Sequence, residues 1–172
     1  DSLTGAHEPL LKISGWKAAV VIAILLALDW RSLFQVVPWR GQEIAARVAA
    51  AGVVGLGGAA FPAAVKLSLR AGHRVEILVI NGAECEPYLT SDFRTMVEEP
   101  ELVVLGCKMV VRLLGAARCV IGIEDNKRGA ADILERYCAG TGIEVAILDT
   151  KYPQGSEKML IYALTGREVP SG

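Results

Sequence analysis

Beyond residue 40 the apolar positions fall into short runs separated by polar turns. Val75–Ile80, Arg118–Ile123 and Glu144–Leu148 are apolar stretches bounded by turn signals, the pattern of buried strands. Helical lengths lie around and between them. Gln42–Ala51 is alanine-rich and reads as a short helix, and a second helix runs from about Pro62 to Arg70. Pro100–Leu114 is apolar on all sides, as in a largely buried helix. Asn126–Ala139 is amphipathic with Asn126 as a candidate cap, and Gly155–Leu164 is a last helix. Gly115 and Gly166 stand where glycine commonly ends a helix. Asn81–Ser91 reads as a polar loop.

Strand–helix–strand–helix–strand with such connections predicts right-handed crossovers and a parallel sheet. The expected fold is therefore α/β, a three-layer Rossmann-like domain over residues 41–172 with a short parallel sheet flanked by helices. Residues 1–40 form an atypical N-terminal segment carrying an apolar helix. The chain ends at Pro170-Ser171-Gly172 directly after a helix, as a domain cut short at its C-terminus would.

That N-terminal helix is carried by Ala18–Leu28, eleven uninterrupted apolar residues. Eleven helical residues span about 16 Å against roughly 30 Å of hydrocarbon, too little to cross a bilayer. The expectation is a core or partner-covered helix. Trp16 and Trp30 at its ends leave contact with a membrane surface open.

Composition narrows the class. At 172 residues, 52% hydrophobic and only 6% aromatic, the chain is one domain or slightly more with an Ala/Val/Leu-rich core. A formal charge of −1 gives no bulk electrostatic reason to bind nucleic acid or an anionic membrane. Cys85, Cys107, Cys119 and Cys138 are widely spaced with no CxxC pair, which argues against a metal centre or disulfide framework within the chain. A reducing, cytoplasmic compartment fits this usage.

The chemistry concentrates in three segments. Gly52–Lys66 (GVVGLGGAAFPAAVK) is a glycine loop running into Phe61, Pro62 and Lys66. A glycine loop ending at a helix N-terminus can approach a phosphate closely, and Lys66 would add a full charge. It matches neither the P-loop nor the dinucleotide fingerprint, since a helix rather than a strand leads into it. Ligands of parallel sheets bind outside the carboxyl ends of the strands, which selects the loops after each strand. Asn81–Tyr88 (NGAECEPY) holds an asparagine, Glu84, Glu86 and an aromatic. The asparagine suits the edge of a heterocycle, and the two carboxylates would point the same way in an extended chain. Tyr152–Glu157 (YPQGSE) opens the last helix, with Tyr152 able to cover a ring, Gly155 and Ser156 a candidate helix start, and Glu157 an acceptor.

GLGGAAFPAAVKL (55–67), LVINGAECEPYLTSDFRTM (78–96) and TKYPQGSEKMLIYALTGREVP (150–170) occur in an order that resembles the C subunit of the Rnf-type electron transport complex. The stretch 42–172 is more distantly similar to the flavin-bearing 51-kDa subunit of respiratory complex I and to cobalamin reductases. The resemblance implies non-covalent FMN that takes a hydride from NADH and passes electrons on singly. Gly55, Gly57, Gly58 and Lys66 then correspond to the flavin phosphate and ribityl contacts. Asn81, Glu84, Tyr152, Gly155, Ser156 and Glu157 complete the expected flavin pocket. Phe61, Glu86 and Glu157 correspond to NADH positions, the phenylalanine by stacking on adenine. Ala83 stands where complex I has Asp, Leu69 in place of a second stacking aromatic, and Ser156 in place of a Glu.

No metal site is implied within this chain; two [4Fe–4S] centres belong to segments of the family absent here. The implied partners are NADH and the other subunits of a membrane electron transport complex. Residence would be peripheral, at the cytoplasmic face of the cell membrane and through those partners. A non-catalytic interaction module of the same complex and a cobalamin reductase-like flavoprotein are the alternative readings.

Overall fold

A computed structural model describes residues 11–13, 41–55, 60–68 and 74–169. Among these, strands β1 (Leu11–Ile13), β2 (Ile77–Asn81), β3 (Arg118–Glu124) and β4 (Ile143–Leu148) form one sheet in the order β1-β2-β3-β4. Every neighbouring pair is parallel, with Leu11 beside Leu78, Ile80 beside Ile121, and Ile121 beside Val145. The helices are α1 (Gly41–Ala50), α2 (Ala63–Leu67), α3 (Ser91–Glu98), α4 (Pro100–Leu114), α5 (Arg128–Cys138) and α6 (Glu157–Thr165).

Alternation along the strands builds two cores. Leu78, Ile80, Cys119, Ile121 and Ile123 join Val103, Cys107, Val110 and Leu134 on the α4–α5 side. Ile77, Val79, Val120 and Leu148 join Leu160 of α6 on the other. Helices on both faces of a parallel sheet make the three-layer α/β arrangement that the sequence predicts. Such a sheet needs apolar residues at consecutive strand positions, because neither face meets water. Pro100 opens α4, and Gly115 and Gly166 close α4 and α6 in the left-handed region at φ 62° and 68°.

Gly122 has a different task, in the middle of β3. A Cβ there would lie 3.0 Å from Leu148 and from Leu160. Its bare backbone lets α6 settle onto the sheet.

Several expectations change. The sheet gains β1, too short for any periodicity to announce. The expected loop Asn81–Ser91 leads directly into helix α3, which the apolar pattern does not mark. Helix α2 has five residues, and Pro62 precedes it with extended backbone instead of occupying its first turn. Asn126 caps nothing: it lies in the 3-10 turn Asp125–Lys127, and its N–H donates to the Thr150 hydroxyl at 3.3 Å. The last helix begins at Glu157, two residues later than expected. The apolar helix expected over Ala18–Leu28 lies outside the described residues, as do Gly57, Gly58 and Leu69. Among the described residues no helix is long and apolar enough to cross a membrane.

Candidate functional site

The loops following β2, β3 and β4 meet at the carboxyl end of the sheet and are tied together by buried polar groups. Asn81, the last residue of β2, is 5% exposed. Its Nδ2 donates to the Gly155 carbonyl at 2.9 Å, and its Oδ1 accepts the Ala83 N–H at 3.1 Å. One side chain thus turns the β2 loop and holds the β4 loop against it. Gly155 permits this contact, since a Cβ there would stand 2.8 Å from the Ala83 carbonyl oxygen. Sequence assigns Gly155 loop freedom; the structure adds clearance for a neighbouring backbone.

Glu84, 6% exposed, faces inward. Its Oε1 accepts from the Ser91 hydroxyl at 3.2 Å and the Asp92 N–H at 3.0 Å, and Oε2 accepts the Phe93 N–H at 3.3 Å. It is therefore a cap for α3 supplied from outside the helix, placing an anion at the positive end of the macrodipole. Glu86 is exposed. The two carboxylates do not share one environment: Glu84 is tied to the start of α3, whereas Glu86 is exposed at the head of the turn that follows, in which Tyr88 takes a left-handed φ of 65°.

The β3 loop supplies the third tie. Lys127 Nζ donates to the Glu84 carbonyl at 2.9 Å and to Glu124 Oε2 at 3.0 Å. Glu124 is wholly buried at the end of β3, and its Oε1 has no partner. Gln154, also buried, has an Oε1 without a partner. Unpaired buried oxygens are uncommon and call for a donor from water or a ligand. Thr150 joins β4 to β3 by donating its N–H to Asp125 Oδ1 at 3.1 Å.

These ties frame a cleft of about 440 Å³ whose walls include Glu84, Glu86, Tyr88, Glu124, Lys127 and Tyr152. Tyr152 is 79% exposed. Asp92, at the start of α3, is pushed up to about 6 by burial first, then by the charges of Glu84 and Glu86, with Lys127 opposing. Among the charged groups lining the cleft itself, Glu84, Glu86 and Glu124 face Lys127 and Lys151, a small surplus of negative charge.

The remaining expected residues lie elsewhere. Ser156 occupies the N-cap position of α6 without a side-chain cap bond, and Glu157 is the exposed first residue of that helix. Gly55 donates its N–H to the Phe61 carbonyl at 2.9 Å, and Val54 bridges Pro62, which closes the base of the glycine loop. Phe61 is 44% exposed, with Lys66 Nζ 5.3 Å from its ring centroid, a cation–π contact. Ala63 N–H donates to the Val53 carbonyl at 3.0 Å, and Pro62 has no N–H. Two positions that would face an anion at the start of α2 are thus already used or lack a donor. Phe61 and Lys66 do not line the cleft.

The strand-end rule selects the loops Glu124–Lys127 and Thr150–Glu157, but sequence reasoning gives Glu124, Lys127 and Gln154 no role within them and passes over Asp92. A signal exists for Glu124, a charged residue completing the otherwise apolar CVIGIE of a central strand at the sheet end where ligands bind. Among the described residues no three His, Cys, Asp or Glu side chains gather as a metal ion requires.

A parallel α/β sheet with its polar loops joined at one end is the setting of a nucleotide-binding domain. Residues 48–172 match the Nuo51 FMN-binding domain, and the chain belongs to that family. It is 48% identical over 131 residues to the C subunit of the proton-translocating ferredoxin:NAD(+) oxidoreductase complex of Clostridium ljungdahlii, covering 76% of this chain and 29% of that protein. The Na(+)-translocating counterpart of Acetobacterium woodii is 51% identical over 123 residues, 71% of this chain and 28% of its own length. The C subunit of the ion-translocating oxidoreductase complex of Pseudomonas aeruginosa is 39% identical over 171 residues, 97% of this chain and 22% of that protein. The chain spans under a third of the length of these relatives. The expected resemblance to the Rnf C subunit is borne out.

Proposed function

We propose that this chain binds FMN without a covalent link and receives NADH against it, as the flavin module of an ion-translocating oxidoreductase complex. The observation that carries this reading is the convergence of the β2, β3 and β4 loops on one cleft at the carboxyl end of the sheet, within a matched FMN-binding domain. The residues present fit such ligands. Glu124, which lines the cleft, has a buried Oε1 lacking a donor, and FMN and NADH are rich in hydroxyl and N–H donors.

When bound, FMN supplies the two-electron to one-electron conversion that protein side chains cannot perform. The protein's task is to hold and orient. Gly55, Gly57 and Gly58 let backbone approach the flavin phosphate, and Lys66 offsets its charge. Asn81 fixes the loop that faces the ring, and Tyr152 covers it. Glu86 accepts from ribose hydroxyls, Phe61 offers a stacking face, and Glu157 orients the nicotinamide end. No side chain needs to act as acid or base. Ferredoxin and NAD(+) appear in the names of two relatives; here NAD(H) is the ligand, and onward one-electron transfer would fall to iron–sulfur centres on other segments or partner subunits. Association with the membrane is peripheral, at its cytoplasmic face and through those subunits.

The test is whether the intact protein copurifies with FMN and whether NADH bleaches the flavin absorbance. Retained flavin that bleaches supports the proposal. A folded sample that retains no FMN after reconstitution overturns it.

A further inference from the structure

Glu124 carries an unmet need at the inner wall of the cleft. It ends β3, an inner strand of the sheet, and is wholly buried. Lys127 Nζ engages its Oε2 at 3.0 Å, while Oε1 has no donor. Leaving a buried carboxylate oxygen bare costs its desolvation with no return, and Glu124 lines the cleft. Lys127 lines it too. Of the three N–H groups of its ammonium, two are used among the described residues, on the Glu84 carbonyl and Glu124 Oε2. Side by side, the pair presents a free acceptor and a free donor.

We propose that Glu124 is a cofactor-binding residue that reads the imide edge of the flavin: its Oε1 accepts the ring N3–H, and Lys127 donates to a neighbouring ring carbonyl. The assignment rests on reading the cleft as the FMN site. Along that edge the isoalloxazine sets one N–H donor between two carbonyl acceptors, the complement of an acceptor beside a donor. A carboxylate held by an ammonium accepts and does not donate, so it welcomes an N–H and turns a carbonyl away. Asn81 has the chemistry to match the same edge, but both ends of its amide are engaged, by the Gly155 carbonyl and the Ala83 N–H. NADH offers a related edge in its carboxamide, and burial separates the two. Hydride transfer lays the nicotinamide over the flavin, so the resident ring takes the inner position, where Glu124 is, and the exchanging ring the outer one.

The experiment loads the intact protein and its Glu124→Gln variant with FMN isotope-labelled at ring N3, and follows the attached proton by NMR. In the unaltered protein that proton should be protected from exchange with water and shifted downfield of its position in free FMN. Glutamine has one oxygen for two donors, so Lys127 and the flavin compete for it. Glu124→Gln should return the resonance toward the free position or lose it to exchange, and weaken FMN about tenfold. Melting of the FMN-free variant checks its fold. Binding of 3-methyl-FMN, which has no N3 proton, needs no variant and so stands if Glu124→Gln fails to fold. The unaltered protein should bind it about tenfold more weakly than FMN.

An N3 proton that exchanges freely in the FMN-loaded unaltered protein, or equal affinity for FMN and 3-methyl-FMN, would overturn the assignment while leaving the FMN reading intact. A bonded N3 proton that Glu124→Gln leaves unmoved would also overturn it, by giving the contact to another residue. So would a variant that weakens NADH and not FMN, by moving the contact to the carboxamide. If the unaltered protein binds no FMN, that reading fails and the assignment falls with it.

Discussion

The loop after β2 divides into two halves of opposite character. From Asn81 to Glu84 every residue is buried, and each polar side chain meets partners in neighbouring elements. From Glu86 to Thr90 every residue is exposed, and Tyr88 sits in a strained conformation without internal support. Glu84 and Glu86 are two residues apart and chemically alike, yet one builds the rim and the other faces outward from it. A charged residue in a strand-end loop is therefore no guide to ligand contact until its burial is known. The inner half fixes the position of the loop; the outer half is left free for chemistry.

Lys127→Met should break this division most severely. The Lys127 and Glu124 side chains are 11% and 1% exposed, and removing one partner of a buried pair costs about 3 kcal/mol or more. Denaturant unfolding should show that loss, and adding Glu124→Gln to the same protein should recover much of it. Glu84→Ala comes next, at about 2 kcal/mol, because α3 loses its cap and two backbone donors lose their acceptor. Amide exchange at Asp92 and Phe93 should rise in step.

Asp92 sharpens the comparison through pH. Its folded value, about 6, lies above the ordinary 3.8, so the folded state holds the proton more tightly than the unfolded chain. Stability should fall as pH rises from about 4 to 6 and stay reduced above that. Asp92→Asn should remove this dependence and raise stability at neutral pH by about 1–2 kcal/mol, read from melting temperatures across the range. The smallest stability effect belongs to Glu86→Gln. It should shift unfolding by less than about 0.5 kcal/mol, as exposed positions do, while weakening NADH. A large loss of stability there would erase the distinction between the two halves.

The parts of the fold legible in the sequence are those with strong local signals. VEILVI, RCVIGI and EVAIL read as buried strands because long apolar runs admit few alternatives, and Gly115 and Gly166 end their helices because left-handed backbone favours glycine. Helix α3 escapes because its cap is not local. SDFRTMVE buries only Met96 among its residues, and its N-terminal acceptor is Glu84, seven residues upstream of its first turn. Position at strand ends is enough to find the candidate loops, and the β2 and β4 loops do meet. The division of labour within them is not legible, since Glu84 and Glu86 differ only in where the chain turns. Glu124 is marked by its place at the end of an apolar strand, but Lys127 looks like an ordinary solvated charge until folding brings it under the β2 loop.

Gly122 carries a consequence for the site that lies far from it in sequence. Because β3 presents bare backbone there, Leu148, Leu160 and Leu164 approach within 3.0 to 3.2 Å of where a methyl would be. Helix α6 starts at Glu157 and is joined to Gly155, whose carbonyl holds Asn81. A single added methyl at 122 would act as a shim beneath that helix, lifting it by some tenths of an ångström. The lift would be felt at the mouth of the cleft as a change in gape, with every cleft-lining side chain left intact.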